Sequence, residues 1–204
     1  MPAELCDFRI AQDISGSCDN PQVAGLKNTG YIMNFDDIDW DALVKSSTNA
    51  SIVETLALLS GKKAYKVVVP GNTPFTGTQS VMATGTYKNK FNKTAAIVVL
   101  NSGPDVSKNI IDQLANGRFV FIFENKYQGA NKDNTFEIYG LETGLAATEM
   151  TNDKYSEDTD GGWLVNLQET NAPSSGMFLF KTSIATTRAA LESLVTGNVT
   201  GNNP

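Results

Sequence analysis

Carboxylates are the side chains of this sequence best suited to catalysis. Two facing acids can hydrolyse glycosides, and their separation decides the mechanism. Acids at solvent-facing strand positions are nevertheless common, and the sequence does not give that separation. The acids on or beside predicted strands are Glu124, Glu137, Glu142 and Glu149. The chain has no histidine, which excludes Ser-His-Asp and Cys-His nucleophile systems. We therefore expect that the protein is not an enzyme.

Two acidic clusters match parts of calcium-binding loops. Asp37, Asp39 and Asp41 occupy the first three ligand positions of such a loop. The next position is Ala42 instead of glycine, and the twelfth is Thr48 instead of the bidentate glutamate. A second cluster, at 158–162, offers two carboxylates but no further evident ligands. We expect solvated acidic turns and no metal or other cofactor.

The sequence does not favour a phosphate-binding loop or a reactive thiol site either. Gly61-Lys62-Lys63 superficially matches the lysine of a phosphate loop, but it lies between two predicted strands and not before a helix. The two cysteines, Cys6 and Cys18, are expected to be free, partly buried thiols of a reduced, intracellular protein. The start of the chain, 1–17, shows no basic and apolar regions of a secretion signal.

Charge and hydropathy restrict the partners. Sixteen basic residues against 22 acidic ones give a net charge of −6, which repels a phosphate backbone and an anionic membrane. The longest apolar runs, 95–100 and 119–123, are too short to cross a bilayer. With 204 residues the chain suits one domain with its own core.

Periodicity predicts an extended arm at 1–30, because this stretch is polar and rich in Gly, Asn and Ser. A strand at 31–34 and a short helix at 36–44 follow. Segments 51–59 and 64–69 flank Ser60-Gly61-Lys62-Lys63, which is typical of a hairpin. The next predicted strands are 79–88 and 94–100, joined by a polar tip at 88–93.

A helix at 104–116 is the clearest helical signal, since Pro104 suits the first turn and Gly117 the stop. Phe119, Phe121 and Phe123 alternate in the strand that follows, which is typical of core residues. A second helix is predicted at 184–195, capped by Thr182 or Ser183. The strands predicted in this half of the chain are 118–124, 135–141, 145–151, 162–169 and 177–181.

Together these elements predict a mainly β fold with two helices (α+β), built as a β-sandwich or barrel. The expected organisation is an N-terminal arm at 1–30, a single β-rich domain at 31–196 and a disordered tail at 197–204.

The C-terminal half resembles the tail-tube proteins of tailed bacteriophages. The run Phe136-Glu137-Ile138-Tyr139-Gly140-Leu141-Glu142-Thr143-Gly144-Leu145 is similar to their "YG…GL" strand pair. An acidic turn and then Gly162-Trp163-Leu164-Val165-Asn166-Leu167 match the loop and "G-x-W"-type strand that follow it. The helix at 104–116 lies where such folds carry a helix beside the sandwich. The segment 25–32 resembles structural proteins of phages that infect Bacteroidetes-type hosts.

The resemblance implies a virion structural protein, made in the bacterial cytoplasm, that forms rings of usually six subunits. Sheets of neighbouring subunits would close an inner β-barrel of tail-tube type. The partners would be other copies and neighbouring virion proteins, with DNA only as passing cargo in an acidic lumen and no membrane. Tube, hub, neck and terminator positions all stay open.

Interface residues are predicted from two sources. Trp40, Phe75 and Phe91 lie near turns, and aromatic residues are enriched at interfaces. The resemblance adds the loops at 70–78 and 88–93, with Pro70, Lys88 and Lys90. Two alternatives remain: a capsid-surface or fibre-associated binding module, and a carboxylate-dependent glycan hydrolase.

Overall fold

Within residues 9–16 and 18–197, which the computed structural model describes, the chain forms two β-sheets and two main helices. The seven-stranded sheet has the order β2-β3-β11-β8-β7-β1-β4. Its strands are β1 (Leu26–Asn34), β2 (Val44–Lys45), β3 (Ile52–Thr55), β4 (Tyr65–Val68), β7 (Phe119–Asn125), β8 (Phe136–Tyr139) and β11 (Met177–Leu179). The four-stranded sheet has the order β5-β6-β10-β9. Its strands are β5 (Gln79–Ala83), β6 (Lys90–Val99), β9 (Ala146–Thr151) and β10 (Trp163–Ala172). The predicted mainly β, α+β class is confirmed.

The first helix, α1, begins at Pro104 and ends at Asn116, and its middle, Ser107–Ile111, is π-helical. The second, α2 (Ile184–Thr196), begins at Ser183, whose Oγ accepts a hydrogen bond from the Thr186 amide at 3.1 Å. This side-chain bond satisfies one of the amides that a helix start leaves without a partner. The predicted helices at 104–116 and 184–195 are confirmed, and Ser183 is the cap of α2.

Three layers bury the core on both sides of β7. Towards α2, Val120 and Ile122 pack with Leu191 of the helix. Towards the four-stranded sheet, a second cluster forms. Its members include Phe119, Phe121, Phe123, Tyr139, Ala95, Ile97, Val165 and Leu167. A strand that is buried on both faces has a continuous apolar sequence, which explains the run Phe-Val-Phe-Ile-Phe. The predicted core role of its phenylalanines is confirmed.

The predicted hairpin between 51–59 and 64–69 is wrong. A turn does form, with the Lys62 amide donating to the Leu59 carbonyl at 3.0 Å. The two strands on either side nevertheless lie near opposite ends of the seven-stranded sheet, where β3 pairs with β2 and β11 and β4 pairs with β1. Long-range pairing therefore prevails over the local turn signal.

The predicted helix at 36–44 is also wrong. One 3-10 turn, Phe35–Asp37, forms, and Ile38 then bridges to Leu58. The Asp39 carboxylate accepts a hydrogen bond from the Ala42 amide at 3.2 Å, which closes a turn. Asp side chains compete with helices in this way.

The N-terminal segment is only partly an arm. Residues 9–16 and 18–25 form no helix or strand and are exposed. Residues 26–30, predicted within the arm, belong to β1 and pair with β4 and β7. Residues 1–8 and 17 of the predicted arm and residues 198–204 of the predicted tail lie outside the described part.

Candidate functional site

The predicted interface residues lie at different depths. Pro70, Lys88 and Lys90 are exposed, so a partner can reach them. Trp40 is 44% exposed and packs on Phe35 with ring centroids 5.2 Å apart. Close to half of its surface therefore remains available to another protein.

Phe75 must be removed from the predicted interface, because it is 3% exposed. Its ring packs edge-on against Phe121 and Phe123 at 5.7 and 5.5 Å. The loop that carries it folds back into the core, which the sequence of a Gly- and Pro-rich turn does not reveal. Phe91 is half-buried within β6, opposite Met82 and Ala172.

The four-stranded sheet has two open edges. In the part of the chain that the structure describes, β5 pairs only with β6 and β9 pairs only with β10. Helix α1 contacts β9, and its Leu114 shares a core cluster with Met150 of that strand. Thr148 and Glu149 of β9 are nevertheless exposed. Each edge therefore presents backbone donors and acceptors to a further strand.

The outer face of this sheet carries a row of amide and hydroxyl side chains and few charges. Directly opposite residues share a face, and here they include Gln79 with Thr94, Thr94 with Gln168, and Asn166 with Glu149. Amide groups bond along the face, from Gln168 Nε2 to Thr94 Oγ1 at 3.2 Å and from Asn166 Nδ2 to Glu149 Oε2 at 3.3 Å. Glu149, one of the predicted catalytic acids, thus faces outward.

The inner face of the same sheet carries a buried charge cluster. The side chain of Lys93 is 1% exposed and that of Glu169 is 0% exposed. They stand opposite each other on β6 and β10, with Lys93 Nζ 3.4 Å from Glu169 Oε2. Lys93 Nζ also lies 3.3 Å from Oε2 of Glu142, which accepts a 2.9 Å bond from Ser174 Oγ.

Backbone amides of the turn after β8 hold the Glu169 carboxylate. The amides of Glu142 and Thr143 donate to Oε1, and the amide of Gly140 donates to Oε2, each at 2.9 Å. Gly140 has a φ of +86°, and a Cβ there would lie 2.4 Å from the Phe119 carbonyl oxygen. Only glycine fits this turn, so Gly140 helps to bind the two sheets together through Glu169.

Glu137 lies beside this cluster and lines a cavity of about 300 Å³. The cavity is also lined by Gln22, Asn125, Tyr127 and Tyr139. Burial raises the pKa of the Glu137 carboxyl above its usual range, although the Asn125 amide and the Lys93 ammonium act in the opposite direction. Burial, with Glu137 and Glu169 nearby, likewise raises the pKa of the Tyr139 hydroxyl.

Replacing Glu137 with glutamine should stabilise the fold near neutral pH. Below about pH 4 the carboxyl is protonated in both states, and burial of the charge has no cost. As the pH rises, the unfolded chain releases this proton first, so the wild type loses stability relative to Glu137→Gln. Urea unfolding of both proteins across this range measures the difference.

Asp37→Asn is the control, because its stability relative to the wild type should change with pH in the opposite direction. Desolvation raises the pKa of Asp37, but hydrogen bonds from Asn34 and Lys62 outweigh it and lower the pKa overall. A lowered pKa adds stability above the ordinary carboxyl range and loses it in acid. Asp37→Asn should therefore lose stability relative to the wild type as the pH rises. Parallel pH curves for all three proteins would contradict both assignments.

The remaining predicted acids do not join the cluster. Glu124 Oε1 binds Lys27 Nζ at 2.6 Å and Arg188 Nη2 at 2.5 Å, which ties β7 to β1 and α2. Asp37 binds Lys62 at 3.0 Å. Within residues 9–16 and 18–197, no group of three or more Asp, Glu or Cys residues is arranged to hold a metal ion. Cys18 is free and exposed, not partly buried as predicted, and Cys6 lies outside the described residues.

No described helix is both long and apolar enough to cross a membrane. No protein-family model matches the sequence, and neither a curated protein nor a solved structure matches it.

Proposed function

We propose that this protein is a tail-tube-like structural subunit of a tailed bacteriophage, which oligomerises into rings that conduct DNA. The observation that carries the proposal is the four-stranded sheet, with two open edges and a polar outer face. The sequence resemblance to tail-tube proteins supports it independently.

Ring closure follows from the edges of this sheet. If β9 of one copy pairs with β5 of the next, each copy adds four strands to one continuous barrel. Such a contact joins two different surfaces and repeats around an axis, so it forms a ring where the rotation closes. The tail-tube resemblance implies that a ring usually has six copies. Closure also removes the strand edges that would otherwise promote aggregation.

The outer face of the sheet suits the wall of a DNA conduit. Its amide and hydroxyl side chains include Gln79, Thr94, Asn166 and Gln168, Glu149 adds negative charge, and the exposed Lys90 lies at one end of β6. Lys93, a cation in the middle of β6, points inward and is buried. A wall without exposed cations along its centre has no strong phosphate contacts, and a net charge of −6 adds repulsion. DNA can then slide through without sticking.

Exposed residues outside the strands of this sheet suit contacts between rings and with neighbouring virion proteins. Ile10 and Ile14 are 79% and 91% exposed in the N-terminal segment. Large apolar side chains at this exposure gain free energy when a partner covers them. Lys88, in the turn between β5 and β6, and Pro70 are exposed as well.

Light scattering and negative-stain microscopy at rising concentration test the proposal. We expect rings or stacked tubes with a central hole, and an average mass that grows with concentration. A small fixed oligomer without a hole would favour the alternative of a capsid-surface or fibre-associated binding module. A monomer at every concentration would contradict ring formation.

A further inference from the structure

Lys93 and Glu169 meet in a dry, preorganised environment, and we propose that they condense to an intramolecular amide bond. This cross-link would join β6 and β10, the two central strands of the four-stranded sheet. The reaction uses residues of a single chain, so it does not depend on the proposed ring.

Proximity is the first argument. The two residues stand directly opposite each other, and Lys93 Nζ lies 3.4 Å from Glu169 Oε2. Both side chains are almost completely excluded from water, which would otherwise compete with the amine and hydrolyse an activated acyl group. Fixed neighbours of this kind replace a bimolecular encounter by an intramolecular one, with effective molarities of about 10⁵ M or more.

Electrostatic stabilisation of the reacting carboxyl is the second argument. When the amine attacks Cδ of Glu169, negative charge develops on Oε1. The amides of Glu142 and Thr143 already donate to that atom, each at 2.9 Å. Two backbone donors on one oxygen form an oxyanion hole, and Oε2, which faces Lys93, is then the leaving oxygen.

A positioned proton carrier is the third argument. Glu142 Oε2 lies 3.3 Å from Lys93 Nζ, and Ser174 Oγ donates to the same oxygen at 2.9 Å. Glu142 takes a proton from the ammonium, which frees the lone pair for attack, and delivers it to Oε2 of Glu169. The Nζ–Cδ bond forms, the Cδ–Oε2 bond breaks, and the two protons lost by the nitrogen leave with Oε2 as water. No oxidant, reductant or other reagent is needed.

Intact-mass spectrometry of the denatured full chain tests the cross-link. We expect a mass lower than that of the sequence by about 18 Da, one water. Trypsin should then release peptide 91–108 covalently joined to peptide 155–181, since one contains Lys93 and the other Glu169. A wild-type protein that keeps its full mass after folding and prolonged incubation overturns the proposal.

Two variants identify the origin of the lost water. Lys93→Arg keeps the positive charge but has no amine that can condense, so its mass should be that of its sequence. A loss of water that persists in this variant overturns the proposal. Glu142→Gln keeps Lys93 and Glu169 in place but removes the proton carrier. It should slow the loss about 100-fold, and an unchanged rate would contradict the mechanism. Circular dichroism of each variant verifies the fold.

Discussion

Lys93→Met should lower the free energy of unfolding by about 3–5 kcal/mol, because it leaves the Glu169 carboxylate buried without its cation. Glu169 has no exposed surface, and Lys93 Nζ also faces Glu142 at 3.3 Å. Methionine fills a similar volume, so the loss reports the charge and any covalent bond more than a cavity. Urea unfolding followed by circular dichroism gives the free energy.

Lys90→Met is the matched control, since Lys90 lies on the same strand but is exposed. It should change stability by less than about 0.5 kcal/mol. The double variant Lys93→Met/Glu169→Gln removes the buried, unpaired charge of Glu169. The oxygen of the introduced glutamine side chain can still accept backbone hydrogen bonds. This variant should regain roughly half of the loss. Equal losses in Lys93→Met and Lys90→Met would show that burial of the charge is unimportant.

Two elements with strong local signals were predicted correctly. The helix at Pro104–Asn116 has its proline and glycine signals within the segment itself. The alternation of Phe119, Phe121 and Phe123 gives their common face directly. In both places the local signal and the tertiary contacts agree, which is the condition under which such predictions succeed.

Pairings between distant segments could not be predicted. The turn after Leu59 looks like a hairpin, yet β3 pairs in parallel with β11 from the other end of the chain. Nothing local to 51–69 encodes that partner. The start of β1 was also missed, because Gly30 and its polar neighbours look like a loop until β4 and β7 pair on either side.

The buried charge cluster was only half visible in the sequence. Glu137 and Glu142 were considered as candidate acids, whereas Lys93 was assigned to an exposed polar tip and Glu169 was not considered. A signal was nevertheless present. Lys93 lies an even number of residues from the buried Ala95 and Ile97 in its strand. Glu169 has the same spacing from the buried Val165 and Leu167. Alternation within a strand therefore placed both charges on the inner face, but only the fold shows that they meet there.

Val81→Lys should prevent ring assembly and leave the monomer folded. Val81 is 51% exposed on β5, an edge strand of the four-stranded sheet. In a closed barrel this strand would pair with β9 of the next copy, and a lysine on an edge strand opposes such edge-to-edge pairing. The concentration needed for assembly should rise about 100-fold or more, which corresponds to about 2.7 kcal/mol per interface. Light scattering against concentration measures this shift.

Val68→Lys separates this interface from a general effect of an added charge. Val68 is 61% exposed on β4, the edge strand of the other sheet, so the same substitution should leave assembly at wild-type concentrations. If Val68→Lys blocks assembly and Val81→Lys does not, the ring closes through the seven-stranded sheet. The outer face of the four-stranded sheet would then not line the channel, because the sheet that joins the subunits is the one that forms the inner wall.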